Sequence, residues 1–545
     1  MSRSLCWMAI AALCIAVSAS AQTVGFRNDG SGHRPTATPP TSWNEATGNG
    51  IAWRVKLDHW GNGEPIVVKD RLYLVQDLDW WNFDRVGPSL LCLDLKDGSI
   101  LWQRELDHTV ALPPEQARQA REDWIKLRKK YYQGWQICSA VAKEYGLGRD
   151  ALNAAREKLK PHGMTIKNPQ TVFNLQITDG KYKQLERELR TSHLWTCQWS
   201  QPRGQWCGAG YATPVSDGKH IYLRTGYGAA FCYDLDGRRI WTKLYEGDEW
   251  KKQSWGVSPV LVDGVLVIAD SQNCHGFDAI GLDAATGKQL WKVKPWPSWE
   301  GYSLGSCQVL TVDGRHIVHL PSGRIIRPSD GKVLAEGVGR AKWTASTGAG
   351  DLLVVPFFKR KLRKAEAKLY PWMPEADSLV AYRLAWDGPD RIAARRLWVN
   401  PIGNRTLEIS PVLAGGLVFQ VVGRRSGIAA LDAKTGKQVA MRDGAQFGRP
   451  KYSWNLAVAG GYLYAIDYIK GTVAVLKANR SLEVVATNPP LGRPTEETPL
   501  PYATWTIGAG KPGSRPRLPQ TGAMTFAGDR LILRAFRYVY CLKER

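Results

Sequence analysis

A scattered set of residues near the starts of short apolar strands has the side-chain types a ligand would need: Trp60, Asn62, Glu64, Tyr211, Trp255, Ser258, Ser306, Ser410, Trp454 and Asn455. An aromatic face with an acid and an amide suits a flat, anionic ring held beside calcium, because calcium takes several hard oxygen ligands. The competing reading is that these side chains fill and hydrate the centre of a ring, as inward positions must, and it is the one favoured here. Other chemistry has less support. His316 and His319 stand three apart on an apparent strand, so they face opposite sides and cannot chelate one metal together. Cys274-His275 lies in a turn where neighbours diverge, which argues against a thiol and its base. Asp94, Asp234, Asp283 and Asp432 recur at matching places, and repetition points to turn chemistry rather than one catalytic role. No residue is assigned as catalytic, and no metal site is expected.

The elements that must position these residues are repeated. Inner strands open on Glu64-Pro65, Thr213-Pro214, Ser258-Pro259 and Ser410-Pro411, with looser copies at Cys307-Gln308, Asp351, Asn455 and Met524. A Gly/Asp turn and a second apolar strand come after each start. A hairpin comes next: Gly281-Leu-Asp-Ala-Ala-Thr-Gly-Lys-Gln-Leu-Trp291, Cys92-Leu-Asp-Leu-Lys-Asp-Gly-Ser-Ile-Leu-Trp102 and Cys232-Tyr-Asp-Leu-Asp-Gly-Arg-Arg-Ile-Trp241. Ala430 to Ala440 repeats it with Asp432 and Gly436 but without the Trp, and weaker copies begin at Pro328 and Tyr538. Within the hairpin, Asp283 can bond nearby N–H groups, and Gly287 tolerates positive φ. Four-stranded units that cannot bury their own faces must stack on copies of themselves. The expected fold is all-β, an eight-bladed β-propeller of four-stranded antiparallel blades. Asp94, Trp102, Asp234, Trp241, Asp283, Gly287, Trp291, Asp432 and Gly436 are the expected blade-docking residues.

Asp-x-x-Thr-Gly-Lys-x-x-Trp, as it stands at Asp283 to Trp291, resembles the tryptophan-docking motif of quinoprotein (PQQ-type) β-propellers. That superfamily holds the PQQ-dependent alcohol dehydrogenases and the non-catalytic propeller lipoprotein of outer-membrane-protein assembly. The resemblance implies that the Trp packs between neighbouring blades. Its enzymes are similar to one another in a calcium-binding Glu/Asn pair, a catalytic Asp and often a vicinal Cys-Cys disulfide. This chain has no Cys-Cys dipeptide and no Cys-x-x-Cys-His haem site, and the catalytic Asp matches no position here.

The chain opens like a secretory signal over 1–21: Arg3, an apolar core from Leu5 to Val17, and Ala19-Ser20-Ala21 before Gln22. That apolar run is short for a membrane span, and no later one approaches ~20 residues. Neither Cys6 nor Cys14 sits in a lipobox. The expected location is periplasmic or secreted. A formal charge of +23 reads first as a solvated basic exterior and otherwise as a surface for an acidic partner, and no Lys/Arg run is dense enough to name nucleic acid. Of the cysteines left after cleavage, Cys197 and Cys207 flank a Trp-rich loop and are the expected disulfide, while Cys92, Cys232 and Cys541 read as small core residues.

Residues 22–50 read as an extended Gly/Pro/Ser-rich arm over the surface, and 51–545 as the propeller. Trp53 lacks a hairpin partner, so its strand is expected to pair with the chain's last strands and close the ring. Between the first two blades, 107–195 has helical periodicity: Ala117, Ala120, Trp124, Leu127, Tyr131 and Trp135 form a stripe within 115–141, and a second helix is expected over 146–159. This helical insertion is expected to cap the propeller. Stretches 359–375 and 488–520 read as loops at one mouth. Function divides into two readings. The first is a monomeric, non-catalytic binding or assembly scaffold whose partner is a protein or an acidic polymer, with no cofactor. The alternative is an oxidoreductase using PQQ and calcium on an alcohol or sugar.

Overall fold

The computed structural model describes residues 24–59, 61, 63–78, 82–146, 148–167, 175–191, 212–226, 228–245, 257–269, 277–295, 305–339, 341, 344–357, 376–402, 409–422, 427–444, 454–467, 471–491, 523–535 and 537–544. Eight antiparallel sheets succeed one another along the chain, each ordered inner to outer. The first blade shows the pattern: Ile66–Val68, Arg71–Gln76, Ser89–Asp94 and Ile100–Glu105. The eighth is built from both ends of the chain. Ala523–Ala527, Arg530–Ala535 and Tyr538–Lys543 are completed on the outside by Ile51–Lys56, with Lys56 opposite Tyr538 and Trp53 opposite Cys541. The ring therefore closes as expected.

Every outer hairpin carries one register shift at the same place. It falls between Cys92 and Leu93 in the first blade, Cys232 and Tyr233 in the second, Gly281 and Leu282 in the third, and at the matching step in the other five. A bulge adds twist and re-aims one side chain. In five blades the side chain beside the bulge is an outer-strand Trp, and Ala335, Ala440 and Ala486 hold the place in the others. Trp53 Nε1 donates to Leu95 O (3.0 Å), Trp102 to Leu235 O (3.2 Å), Trp241 to Ala284 O (2.9 Å), Trp291 to Pro328 O (2.8 Å) and Trp398 to Ala433 O (2.9 Å). Each acceptor lies in the outer turn of the next blade. The ring then lies on a glycine of that turn: at Gly331, φ is +70° and a Cβ would stand 2.6 Å from the Trp291 indole. Only glycine accepts both conditions. In the sixth blade Ala440 holds the Trp's place, and Arg442, two residues on, reaches the next turn, donating to Leu482 O (3.0 Å) and Ser481 O (2.7 Å), as Arg104 of the first blade donates to Gly237 O (2.9 Å).

The insertion has its own core. Helix α1 (Pro114–Tyr145), α2 (Arg149–Leu159) and α3 (Gly180–Thr191) surround Trp124, Leu127, Cys138, Val141, Ala155 and Leu159. A two-stranded sheet, Met164–Ile166 with Leu175–Ile177, completes it. The second helix begins at Arg149 because Gly146, at φ 71°, ends α1 with its N–H on Ala142 O. The small sheet has no counterpart among the sequence expectations, since three-residue strands leave no readable alternation, whereas α3 lies within the stretch of helical periodicity. Arg128 of α1, fully buried, ties the insertion to the first blade by donating to Arg85 O (2.5 Å) and Asn82 O (2.7 Å). No described helix is long and apolar enough to cross a membrane.

The arm corrects an expectation. Rather than lying over the surface, its first residues enter the centre of the ring. Val24 bridges Ser216 of the second blade's inner strand. Gly30 abuts Gln308 of the fourth, Thr347 of the fifth donates to Ser31 O (3.4 Å), and His33–Arg34 pair in parallel with Val458 and Ala459 of the seventh. Only a segment in the channel can touch inner strands spaced around the whole ring. The chain then leaves past the eighth blade, where Thr38 N–H meets Gly528 O (2.9 Å), and buries Trp43.

Candidate functional site

The inner-strand starts do come together around the channel, and their hydroxyls are engaged by the protein itself. Glu64 N–H donates to Thr213 Oγ1 (3.0 Å), Thr213 N–H to Ser258 Oγ (3.0 Å), and Ser258 N–H to Ser306 Oγ (3.1 Å). Further round, Ala345 N–H donates to Ser410 Oγ (3.0 Å), and the Thr525 hydroxyl donates to Pro65 O (2.5 Å). Each of these bonds joins one blade to another. The recurrent Ser/Thr-Pro start thus has a physical reason: its hydroxyl accepts a buried N–H from a neighbouring inner strand that has no sheet partner there.

Glu64 and Asn455 meet at the channel wall, and the residue joining them to the arm is Arg27. The Arg27 N–H donates to Glu64 Oε2 (2.7 Å), and its Nη2 donates across the ring to Pro411 O (2.9 Å). Burial raises the Glu64 carboxyl above its usual range, opposed by the Arg27 N–H, the Arg27 charge and a bond from the Asn455 side chain. Burial likewise lowers the Arg27 guanidinium to about 10, with Glu64 and Asp29 acting against it. Arg27 Nε and Nη1 have no hydrogen-bond partner among the described residues. Its backbone (φ 50°) and that of Asn28 (φ 72°) are left-handed, at a cost of roughly 1–2 kcal/mol each. Gly32 makes room for the guanidinium, since a Cβ there would lie 2.5 Å from Nη2. Arg27 left no signal in the sequence beyond its place in a Gly-rich arm.

Beside Arg27, Glu64, Asn455 and Thr525 there is a cavity of ≈ 20 Å³. That is room for about one water. Among the described residues this space does not fit a tricyclic quinone, and no three His, Cys, Asp or Glu side chains gather as ligands for a metal. Trp60, Asn62, Tyr211 and Trp255, the side chain of Trp454, and the pair Cys197 and Cys207 lie outside the described residues.

The remaining residues occupy separate places. His316 is exposed and bonds Asp263 (2.7 Å), whereas His319 is buried between Ser346 Oγ (2.9 Å) and Val338 O (2.8 Å), so the two face apart. Asp283 accepts from the Thr286 hydroxyl (2.6 Å) and N–H (2.8 Å), and Asp432 from the Thr435 hydroxyl (3.1 Å) and N–H (3.1 Å), inside their turns; these bonds, the hydroxyls first, lower both carboxyls. Asp94 and Asp234 likewise accept turn N–H groups, from Lys96 (2.7 Å) and Arg238 (2.8 Å).

Residues 188–361 match the family described as outer membrane protein assembly factor BamB. No curated protein matches the sequence. Among solved structures, BamB from Moraxella catarrhalis is 14% identical, with 60% of this chain and 82% of that one covered at a TM-score of 0.38. The computationally designed Ika8 protein is 8% identical, covering 90% and 99% at 0.44. A quinohemoprotein alcohol dehydrogenase, ADHIIG from Pseudomonas putida HK5, is 11% identical, covering 94% and 78% at 0.30. Likenesses this distant are similarities only and bear on no residue's role. The ring of eight sheets makes this chain a β-propeller, and the family match is confined to residues 188–361.

Proposed function

We propose that this PQQ-like β-propeller is an exported, non-catalytic scaffold that binds or assembles other proteins, with residues 1–21 as its signal and the periplasm or exterior as its location. The observation that carries this reading is the arm in the channel. Glu64, the acid a channel ligand would need, is engaged by Arg27 of the same chain and by the Asn455 amide, and the serine starts hold blades together. The match to an outer membrane protein assembly factor over 188–361 agrees with it. In the same reading Trp102, Trp241 and Trp291 dock one blade on the next, and Asp94, Asp234, Asp283 and Asp432, with Gly287 and Gly436, shape the turns that receive or precede them.

The test is calorimetric titration of the mature protein with PQQ, with and without calcium, beside chemical cross-linking in the exporting cell. A protein partner cross-linked in fixed proportion, with no heat from PQQ at high micromolar concentration, is expected. Calcium-dependent binding of PQQ would overturn the scaffold reading in favour of an oxidoreductase acting on an alcohol or sugar.

A further inference from the structure

Helix α1 treats its basic residues in two ways. Near its start, Arg118 pairs with Glu115 (2.5 Å) and Glu122 (2.6 Å), and Arg121 pairs with Asp107 (2.8 Å) and Glu105 (3.4 Å). One turn on, Lys126, Lys129 and Lys130 meet no carboxylate among the described residues. Glu122, Ile125, Lys126, Lys129 and Gln133 keep to the three- and four-residue steps of a single helical stripe. Opposite them stands Tyr182 of α3, with the Lys130 ammonium 4.9 Å from its ring centre. Between the helices lies a groove of ≈ 530 Å³ lined by this stripe, Lys130 and Tyr182. Its floor is apolar at Ile125, and its rim is cationic. Over 107–191 the insertion holds sixteen Lys or Arg against ten Asp or Glu, and the acid that lines the groove, Glu122, is paired with Arg118.

We infer that this groove is the docking surface of the insertion, and that its occupant is an acidic amphipathic helix of a protein partner. From Glu122 to Gln133 the stripe runs for about 16 Å, three turns of a partner helix. Glu or Asp at four-residue spacing on that helix would face the lysines, while one apolar side chain covers Ile125 and Tyr182. An apolar floor under a cationic rim fits an amphipathic helix better than an anionic polysaccharide, which has nothing to bury there. A membrane surface would need a convex apolar face, and here the apolar residues are recessed.

The inference rests on the scaffold reading but fails separately from it, because a cross-linked partner could sit elsewhere on the ring. The probe is a fluorescent helical peptide of about fifteen residues with Glu at four-residue spacing and Leu on the adjoining stripe, measured by anisotropy against the intact protein. Binding in the range of tens of micromolar is expected at low salt, weakening about tenfold by 0.3 M NaCl as screening shortens. Lys126→Glu with Lys129→Glu and Lys130→Glu should weaken it at least tenfold, and the three Lys→Gln changes by an intermediate amount. All of these residues are partly or fully exposed, so circular dichroism and melting should be unchanged. Binding that survives charge reversal, equal binding of a Gln-for-Glu peptide, or no binding overturns the inference. So does lysine-dependent binding of phosphatidylglycerol vesicles or alginate in place of the peptide.

Discussion

Replacing Trp291 tests how the ring is held. Its side chain is 8% exposed, its Nε1 donates to Pro328 O at 2.8 Å, and its indole covers Gly331 of the next blade. Trp291→Ala should cost about 3–5 kcal/mol, the usual range for a buried Trp. How that appears on melting depends on what melts together. If the ring unfolds as one unit of about 500 residues, an unfolding entropy of roughly 2.1 cal/mol/K per residue gives about 1 kcal/mol/K, and Tm falls by about 4 °C. If one blade of about 50 residues detaches alone, the same loss moves a separate transition by tens of degrees. Differential scanning calorimetry distinguishes the two, and we expect the single, small shift. Gly331→Ala supplies the cross-check. With Trp291 present, its Cβ must displace the indole and also adopt positive φ. With alanine at 291, only the roughly 1–2 kcal/mol of left-handed strain remains. The double variant should therefore be more stable than the sum of the singles by at least about 1 kcal/mol. Additive costs, or a Tm change under about 1 °C for Trp291→Ala, would refute blade docking through this residue.

Buried groups set the other expected outcomes. Glu64, raised above its ordinary 4.5 by burial, stabilises the fold in its protonated form, and that contribution is lost as pH rises through its folded value. Glu64→Gln should remove this loss, so its stability relative to the parent should grow from pH 4 to pH 7 in urea titrations. His108 and His319 are both lowered to about 4 by burial, so the unfolded chain takes up protons first and stability falls between pH 6.5 and 4. His319→Asn should flatten that acid loss by up to about 3 kcal/mol, and an unchanged profile would contradict a neutral buried ring. Cys92, Cys138, Cys232, Cys307 and Cys541 are free and buried, with thiols raised to about 11 or 12. Iodoacetamide at pH 8 should leave them unlabelled until the protein unfolds, as peptide mapping would read.

Much of this architecture is legible in residue order because it is local and repeated. A Ser/Thr-Pro start, a Gly/Asp turn and a bulged hairpin recur at blade spacing, so periodicity alone counts the blades and assigns Trp53 to the last of them. The α1 stripe is legible for the same reason. The features hidden from residue order are long-range. Arg27 meets Glu64 and Pro411 across 37 and 384 residues, and an isolated Arg between glycines carries no periodic mark. The serine starts read as channel-facing ligand groups because they are polar at inward positions. Their acceptors face the neighbouring blade instead, which becomes visible only when blades are set side by side. Arg442 and Arg104 each cross to the turn of the next blade two residues past the Trp position, and no motif search for an aromatic would find them.

The pairing of Ile51–Lys56 with Tyr538–Lys543 sets an order of events for a chain made from its N-terminus. The first of these strands is synthesised long before its partner and stays unpaired until residues 538–543 appear. Throughout that interval it and the neighbouring blades present open strand edges, which invite pairing with other chains. The arm can settle in the channel only once the blades around it have gathered. A chain that stops before residue 538 therefore loses two strands rather than one, since Ile51–Lys56 has nothing left to hold it. Six residues act as a clasp on the whole ring, and a protease or a folding factor that senses the unclasped edge would be reading whether residues 538–543 had been made and paired.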